Sequence, residues 1–178
     1  MLRLVAGSLL LMLPSLTACI GGGGASGPAA AAQVKPATQQ DPPASPAVTP
    51  SSKPEFVSAS EGDAAVVVRD ALHIAQQQQR RLVVYVGATW CEPCQAFHDA
   101  VERGELDDAL AGVRLLEFDS DHDGDRLRSA GYGGRYIPRF VLPQPDGHGS
   151  ERRMEGGIKG EGAVANIMER LGPLLARG

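Results

Sequence analysis

The chain has few aromatic residues, few cysteines and no excess of basic charge, and each shortage excludes a class of protein. Phe, Trp and Tyr make up 4% of its 178 residues, so the core must be mostly aliphatic. Three cysteines are too few for a scaffold held together by disulfides. The formal net charge of −4 gives no support for a nucleic-acid partner, which would need a clustered basic face. The length accommodates one domain with an attached segment, since single domains cluster at roughly 100–150 residues.

The N-terminal region has no apolar run long enough to span a bilayer. Its run, Leu4–Leu13, follows Arg3 and is far shorter than the roughly 20 residues that a membrane helix needs. Such a charged start and short apolar run are typical of a signal peptide. Residues 16–19 read LTAC and resemble the bacterial lipobox, which implies cleavage before Cys19 and acylation of that cysteine. Residues 1–18 are therefore predicted to be a lipoprotein signal peptide. The alternative is an ordinary secretory signal with an incidental cysteine.

Residues 19–54 contain the lipid-attachment cysteine and a stretch rich in Gly, Ala and Pro. Seven of the thirteen prolines lie between residues 20 and 54, and large apolar residues are almost absent there. Such a segment cannot bury enough surface to offset the entropy of ordering it. We therefore predict a disordered tether between a lipid anchor and a folded domain at residues 55–178.

The composition becomes globular at Glu55, and apolar periodicities alternate between helix and strand from there. Ser60 and Asp63 resemble a capping arrangement before a predicted helix, and residues 82–86 form a continuous apolar run typical of a strand buried on both faces. The predicted helices cover 61–79, a segment from Cys91 to a break near Gly104, 125–130 and 161–175, and the predicted strands cover 82–86, 113–118, 139–142 and 150–155. This order predicts an α/β fold with a mixed sheet and helices on both faces.

The segment Trp90-Cys91-Glu92-Pro93-Cys94 lies where a buried strand gives way to a helix. Zinc sites use the same cysteine spacing, and His98 could lie on the same helix face, but these residues supply at most three ligands. Thiol–disulfide chemistry requires only the two cysteines, because one helical turn can hold both sulfurs within bonding distance. The helix N-terminus favours the thiolate of Cys91, and Cys94 should be more buried.

Three motifs in the same order resemble those of the thioredoxin family. They are residues 90–94, the pair Ile137-Pro138 before a strand, and the pair Gly156-Gly157 before the last helix. The resemblance spans about residues 64–175 and implies a thioredoxin-like fold with a central four- to five-stranded mixed sheet. The interrupted helix after Cys94 is similar to that of the reducing thioredoxin-like domains of periplasmic proteins.

The resemblance also implies roles for individual residues. Cys91 would attack a substrate disulfide and Cys94 would resolve the mixed disulfide, without any cofactor besides this pair. Pro138 would be a cis proline facing the cysteines, Ile137 would offer backbone groups to an extended substrate, and Gly156 and Gly157 would let the substrate approach.

The sequence departs from the family at positions that influence the redox chemistry. Many relatives carry a buried acid six residues before the first cysteine, where this chain has Tyr85, so Glu92 or water would have to assist proton transfer. Trp90 and Pro93 complete the surroundings of the cysteines. Glu92 would make the pair more reducing if it lies near Cys91, and Arg139 would act in the opposite direction.

Residues 119–125 resemble the opening of an EF-hand loop, with acidic side chains at alternate positions and Gly124 at the sixth. The twelfth position of that loop requires a bidentate Glu, whereas this chain has Ala130. We therefore predict a polar turn with Asp caps and no metal site.

Together these features predict a thiol–disulfide oxidoreductase tethered to the periplasmic side of a bacterial cell envelope. Expected partners are protein thiols and disulfides, the membrane through a lipid anchor, and a membrane protein that donates electrons, with the chain itself monomeric. Ile20 slightly favours the outer membrane by analogy. The alternative is a non-catalytic module that binds copper or zinc, or a partner, through the two cysteines and His98.

Overall fold

The computed structural model describes residues 53–176. The predicted signal peptide, Cys19 and the tether as far as residue 52 lie outside the described residues. Within residues 53–176, no helix combines the length and the apolar character that crossing a membrane requires.

Strands and helices alternate along the described chain and form one mixed sheet with helices on both faces. The elements are β1 Glu55–Ser58, α1 Ala64–Gln77, β2 Arg81–Gly87, α2 Glu92–Glu102, β3 Val113–Asp119, α3 Gly124–Ser129, β4 Arg139–Pro143, β5 Gly149–Glu155 and α4 Ala163–Ala176. The strand order is β1-β3-β2-β4-β5. Strands β1, β3 and β2 are parallel, whereas β4 and β5 are antiparallel to their neighbours. The predicted fold class is confirmed.

Strand β2 lies at the centre of the sheet, as its continuous apolar run predicts. All five side chains from Leu82 to Val86 are buried, because helices cover both faces. Val83 and Tyr85 face a core that includes side chains of α2 and α4, while Val84 faces a second core with α1 and α3. Packing on both faces fixes the position of β2, and the cysteine motif begins three residues after this strand ends.

The largest differences from the sequence-based prediction concern β1 and the start of α1. Strand β1 was not predicted, because four half-buried residues carry little periodic signal; its pairing with β3 at the sheet edge reveals it. Helix α1 begins at Ala64 rather than residue 61, since Asp63 alone is the N-cap and its Oδ1 accepts the Val66 N–H at 3.0 Å.

Candidate redox site

The two cysteines form a disulfide at the start of α2. Cys91 is the N-cap residue and Pro93 lies in the first turn, where a missing N–H is tolerated. The Cys91 and Cys94 sulfurs are 2.05 Å apart, and their Cα atoms are 5.2 Å apart. Cys91 is 5% exposed and Cys94 is 2% exposed. A dithiol in this position would hold the Cys91 sulfur near the unpaired N–H groups of the helix, which stabilise a thiolate.

The three motifs that are separated in sequence meet at this disulfide. The Ile137–Pro138 peptide bond is cis. A Cβ atom on Gly157 would lie 3.2 Å from Cβ of Pro93 and 3.6 Å from Cδ of Pro138, so only a glycine fits there without displacing a neighbour. The Gly156 N–H donates to the Pro138 carbonyl at 2.8 Å, which joins the two loops.

The backbone of Ile137 is available to a substrate. Among the described residues, no hydrogen bond involves its N–H or carbonyl group, and β4 begins only at Arg139. An extended peptide beside the disulfide could therefore pair with these groups as an added strand.

Exposed apolar side chains from three loops surround the cysteine motif. Trp90 is 66% exposed, Tyr136 is 54% exposed and Ile158 is 52% exposed. Tyr136 precedes the cis peptide and Ile158 follows Gly157. Clustered exposed apolar groups of this kind mark interaction surfaces. The indole N–H of Trp90 also donates to Oδ2 of Asp121 at 2.7 Å, so the turn after β3 holds the tryptophan in place.

Glu92 is directed toward the loop that precedes α4. Its Oε1 accepts the backbone N–H of Gly160 at 2.8 Å. The carboxylate is exposed and remains next to Cys91 in sequence. This hydrogen bond partly neutralises the carboxylate, which reduces its electrostatic repulsion of a Cys91 thiolate.

Arg139 is buried beneath the loop that leads to the cis proline. Its guanidinium donates to the carbonyls of Tyr132 at 2.9 Å and Tyr136 at 3.1 Å, and its Nε lies 3.2 Å from Oε2 of Glu155. The same carboxylate oxygen accepts the N–H groups of Arg135 and Tyr136. The charge of Arg139 is thus matched by Glu155, and the pair braces the loop. A redox-tuning role for Arg139 stays a prediction.

The hydrogen bonds to Glu155 change its acidity. Burial by itself would raise its pKa, but the Tyr136 N–H, the Arg139 guanidinium and the Arg135 N–H stabilise the carboxylate. Together they hold the pKa of Glu155 below its usual value of 4.5.

An open cavity of about 550 Å³ reaches Cys94 but not Cys91, and its lining includes no residue of the loops that carry Pro138 and Gly157. Tyr85, His98 and Glu117 line it. The Tyr85 hydroxyl is buried without a hydrogen-bond partner among the described residues. Burial, together with the nearby Glu117 carboxylate, raises the pKa of Tyr85 well above its usual value, so the hydroxyl stays protonated.

No group of three or more metal-ligating side chains occurs within residues 53–176. Two acidic side chains of the turn at residues 119–123, those of Asp119 and Asp123, bind backbone groups instead. Oδ1 of Asp119 accepts the N–H groups of Asp121 and His122, and Oδ2 of Asp123 accepts the Asp119 N–H at 2.8 Å. His98, the third ligand of the metal hypothesis, lies 2.8 Å from Glu117, and the two cysteines are bonded to each other.

The sequence did not single out Asp121, Glu155 or Glu117 as parts of the site. Asp121 belongs to a segment that resembled a calcium loop, and Glu155 is one carboxylate among many in the chain. The exposed Tyr136 was also missed, although its place directly before Ile137-Pro138 could have signalled it.

The chain is similar in sequence to known proteins. A family model described as thioredoxin-like matches residues 65–145. A thioredoxin from Aspergillus fumigatus is 34% identical over 100 residues, which are 55% of this chain and 86% of that protein. Among solved structures, a disulphide isomerase from Xylella fastidiosa is similar with a TM-score of 0.44 and 19% identity, covering 66% of this chain and 92% of that one. A thioredoxin from Fasciola hepatica has a TM-score of 0.39 and 22% identity, covering 61% and 94% respectively.

Proposed function

The chain belongs to the thioredoxin family and is a thiol–disulfide oxidoreductase, and from this premise we propose that it reduces protein disulfides while anchored to a bacterial cell envelope. The observation that carries the proposal is the bonded Cys91–Cys94 pair at a helix start, where Gly157 packs between Pro93 of the cysteine motif and the cis Pro138. The exposed apolar side chains around it favour a protein or peptide substrate over a small thiol.

The proposed reaction is a pair of thiol–disulfide exchanges. The Cys91 thiolate attacks one sulfur of the substrate disulfide, which forms a mixed disulfide and releases the first substrate thiolate. The Cys94 thiolate then attacks the Cys91 sulfur and releases the second. Both substrate sulfurs take protons, and the oxidised pair accepts two electrons from a donor to begin again. Outside the cytoplasm we propose a membrane protein as that donor.

The direction of the reaction can be tested through the reduction potential of the pair. A reductase should have a potential of about −270 mV, whereas a potential of about −120 mV would mean an oxidase instead. We expect Glu92→Gln to make the potential less negative, because the Glu92 carboxylate opposes the Cys91 thiolate. The shift should be below about 30 mV, which corresponds to about 1.4 kcal/mol, since the carboxylate is exposed and binds Gly160.

Glu102→Gln provides the matched control for Glu92. Glu102 ends the same helix and is also exposed. Its replacement should leave the potential unchanged. Equal potentials in wild type and Glu92→Gln would contradict a tuning role for Glu92.

The tether is tested through Cys19, and its proposal is supported by the apolar run and the LTAC segment. In bacterial cells, the wild-type protein should incorporate labelled palmitate at Cys19. It should also sediment with membranes, because several acyl chains together give a stable anchor. Cys19→Ser should lose the label and appear in the soluble fraction. Membrane association that survives Cys19→Ser would contradict lipid anchoring, and fractionation of the membranes would assign the inner or outer one.

A further inference from the structure

The reaction requires that the Cys94 thiol lose its proton before it attacks Cys91, and the group that takes this proton is not one of the cysteines. Glu92 binds Gly160 and does not line the cavity at Cys94, and Tyr85 holds its own proton too strongly. The cavity offers another path for the proton, because its lining includes Cys94 but not Cys91, the cysteine that would contact the substrate.

His98 is placed on this cavity by the helix that carries the cysteines. It follows Cys94 by four residues on α2, so the two side chains lie on one helix face, with Cβ atoms about 5–6 Å apart. Both side chains line the cavity. Side chains whose Cβ atoms lie this close can bring a thiol and an imidazole within reach of a proton transfer, directly or through one water molecule.

Neighbouring side chains hold the imidazole of His98 in a defined orientation. Its ring stacks on Phe56 with centroids 3.8 Å apart and an interplanar angle of 10°. Its Nε2 lies 2.8 Å from Oε1 of Glu117. A carboxylate at Nε2 places the proton of the neutral imidazole on that nitrogen, which leaves the lone pair of Nδ1 to accept another. The same carboxylate stabilises the imidazolium that results.

Most of the charged groups that line the cavity with His98 are acidic. The titratable groups that line the cavity with His98 and Cys94 are Tyr85 of β2, Asp99 of α2, Glu117 and Asp119 of β3, and Glu61 before α1. At the rim, the imidazole of His122 lies 3.4 Å from Asp119, and Arg126 pairs with Asp123 at 2.9 Å. Acidic side chains thus outnumber the basic ones.

We propose that His98, oriented by Glu117, accepts the proton of the Cys94 thiol across this cavity when the mixed disulfide is resolved. The Cys94 S–H bond breaks and an N–H bond forms on His98. The Cys94 thiolate then bonds to the Cys91 sulfur, and the bond from Cys91 to the substrate breaks with its electron pair on the substrate sulfur. The imidazolium returns its proton through the open cavity to water. The inference rests on the thiol–disulfide activity and holds for either direction of the reaction, because the reverse exchange returns the proton to Cys94.

The two exchange steps can be measured separately. Trp90 is the single tryptophan and precedes Cys91, so its fluorescence reports on the cysteine pair in stopped-flow mixing of reduced protein with a disulfide-bonded peptide. In a Cys94→Ser background only the first attack occurs. We expect His98→Gln to slow the resolution step by roughly 10- to 100-fold and to leave the first attack within about twofold. The pH dependence of the resolution step should also change, because the group that accepts the proton is absent.

Two further variants distinguish loss of the proton acceptor from a general structural effect of the substitution. His122→Gln is the matched control, because this histidine lines the same cavity but its side chain is 86% exposed. It should leave both steps unchanged. Glu117→Gln keeps His98 and should slow resolution less than His98→Gln does.

Resolution at the wild-type rate and with the wild-type pH profile in His98→Gln would overturn the proposal and leave the oxidoreductase activity intact. Equal slowing of both steps in a folded His98→Gln protein would also overturn it, because the histidine would then be only structural. Absence of any peptide reduction by wild type would instead contradict the proposed reductase.

Discussion

A Cys91→Ser variant is expected to reduce insulin no faster than dithiothreitol does by itself. In the proposed reaction the Cys91 thiolate at the start of α2 begins the exchange, and a serine hydroxyl at that N-cap position cannot replace it. Turbidity from the precipitating insulin chains measures the rate. The wild-type protein should accelerate it in proportion to its concentration.

Cys94→Ser distinguishes the two cysteines in the same assay. By the proposed roles it retains the attacking sulfur and lacks the resolving one, so it should accumulate a mixed disulfide that non-reducing electrophoresis detects. Cys91→Ser should trap none. Equal insulin reduction by wild type and Cys91→Ser would exclude the pair as the reacting group.

Glu155→Ala is expected to produce a large loss of stability. Arg139 is 5% exposed and would lose the carboxylate that matches its charge, and the N–H groups of Arg135 and Tyr136 would lose their acceptor. Breaking a buried ion pair costs about 3–5 kcal/mol. We expect about 3 kcal/mol, since the Glu155 side chain is 32% exposed and Arg139 keeps its two carbonyl acceptors.

Urea denaturation measures this loss, and catalysis should fall with it because the loop before Pro138 loses its brace. Glu151→Ala is the control, since Glu151 is exposed on the same strand. Unfolding midpoints that agree between Glu155→Ala and Glu151→Ala would show that the brace contributes nothing.

The lowered pKa of Glu155 adds a pH dependence to the same pair. A carboxyl group that is more acidic in the folded than in the unfolded protein stabilises the fold fully above its unfolded pKa. That contribution is lost as the pH falls below about 4.5 and through the lowered folded value. Glu155→Gln should therefore remove part of the decline in stability on acidification.

Several parts of the fold follow from local patterns. The run Leu82–Val86 predicts a central strand because five consecutive apolar residues need helices on both faces, and both faces are covered. The cysteine spacing predicts a helical turn, and the helix begins at Glu92. Strand β1 could not be predicted in this way, since an edge strand with half-buried side chains depends on its partner β3.

Some features of the redox site also follow from local sequence, whereas others depend on the tertiary structure. The disulfide partners are three residues apart, so local geometry is enough to place them together. The environment of Arg139 could not be read from its neighbours, because its charge partner lies sixteen residues away on β5. The sequence indicated His98 as a candidate metal ligand, whereas its pairing with Glu117 depends on the alignment of α2 over β3.

The sequence by itself determined the α/β class, the central strand and the reacting cysteine pair, because periodicity and helical spacing act within a few residues. Only the tertiary structure decided which charges face one another and which residues line the cavity at Cys94. Hydrogen bonds and ion pairs form over about 3–4 Å, and chain segments far apart in sequence meet at such distances only after the sheet has set their register.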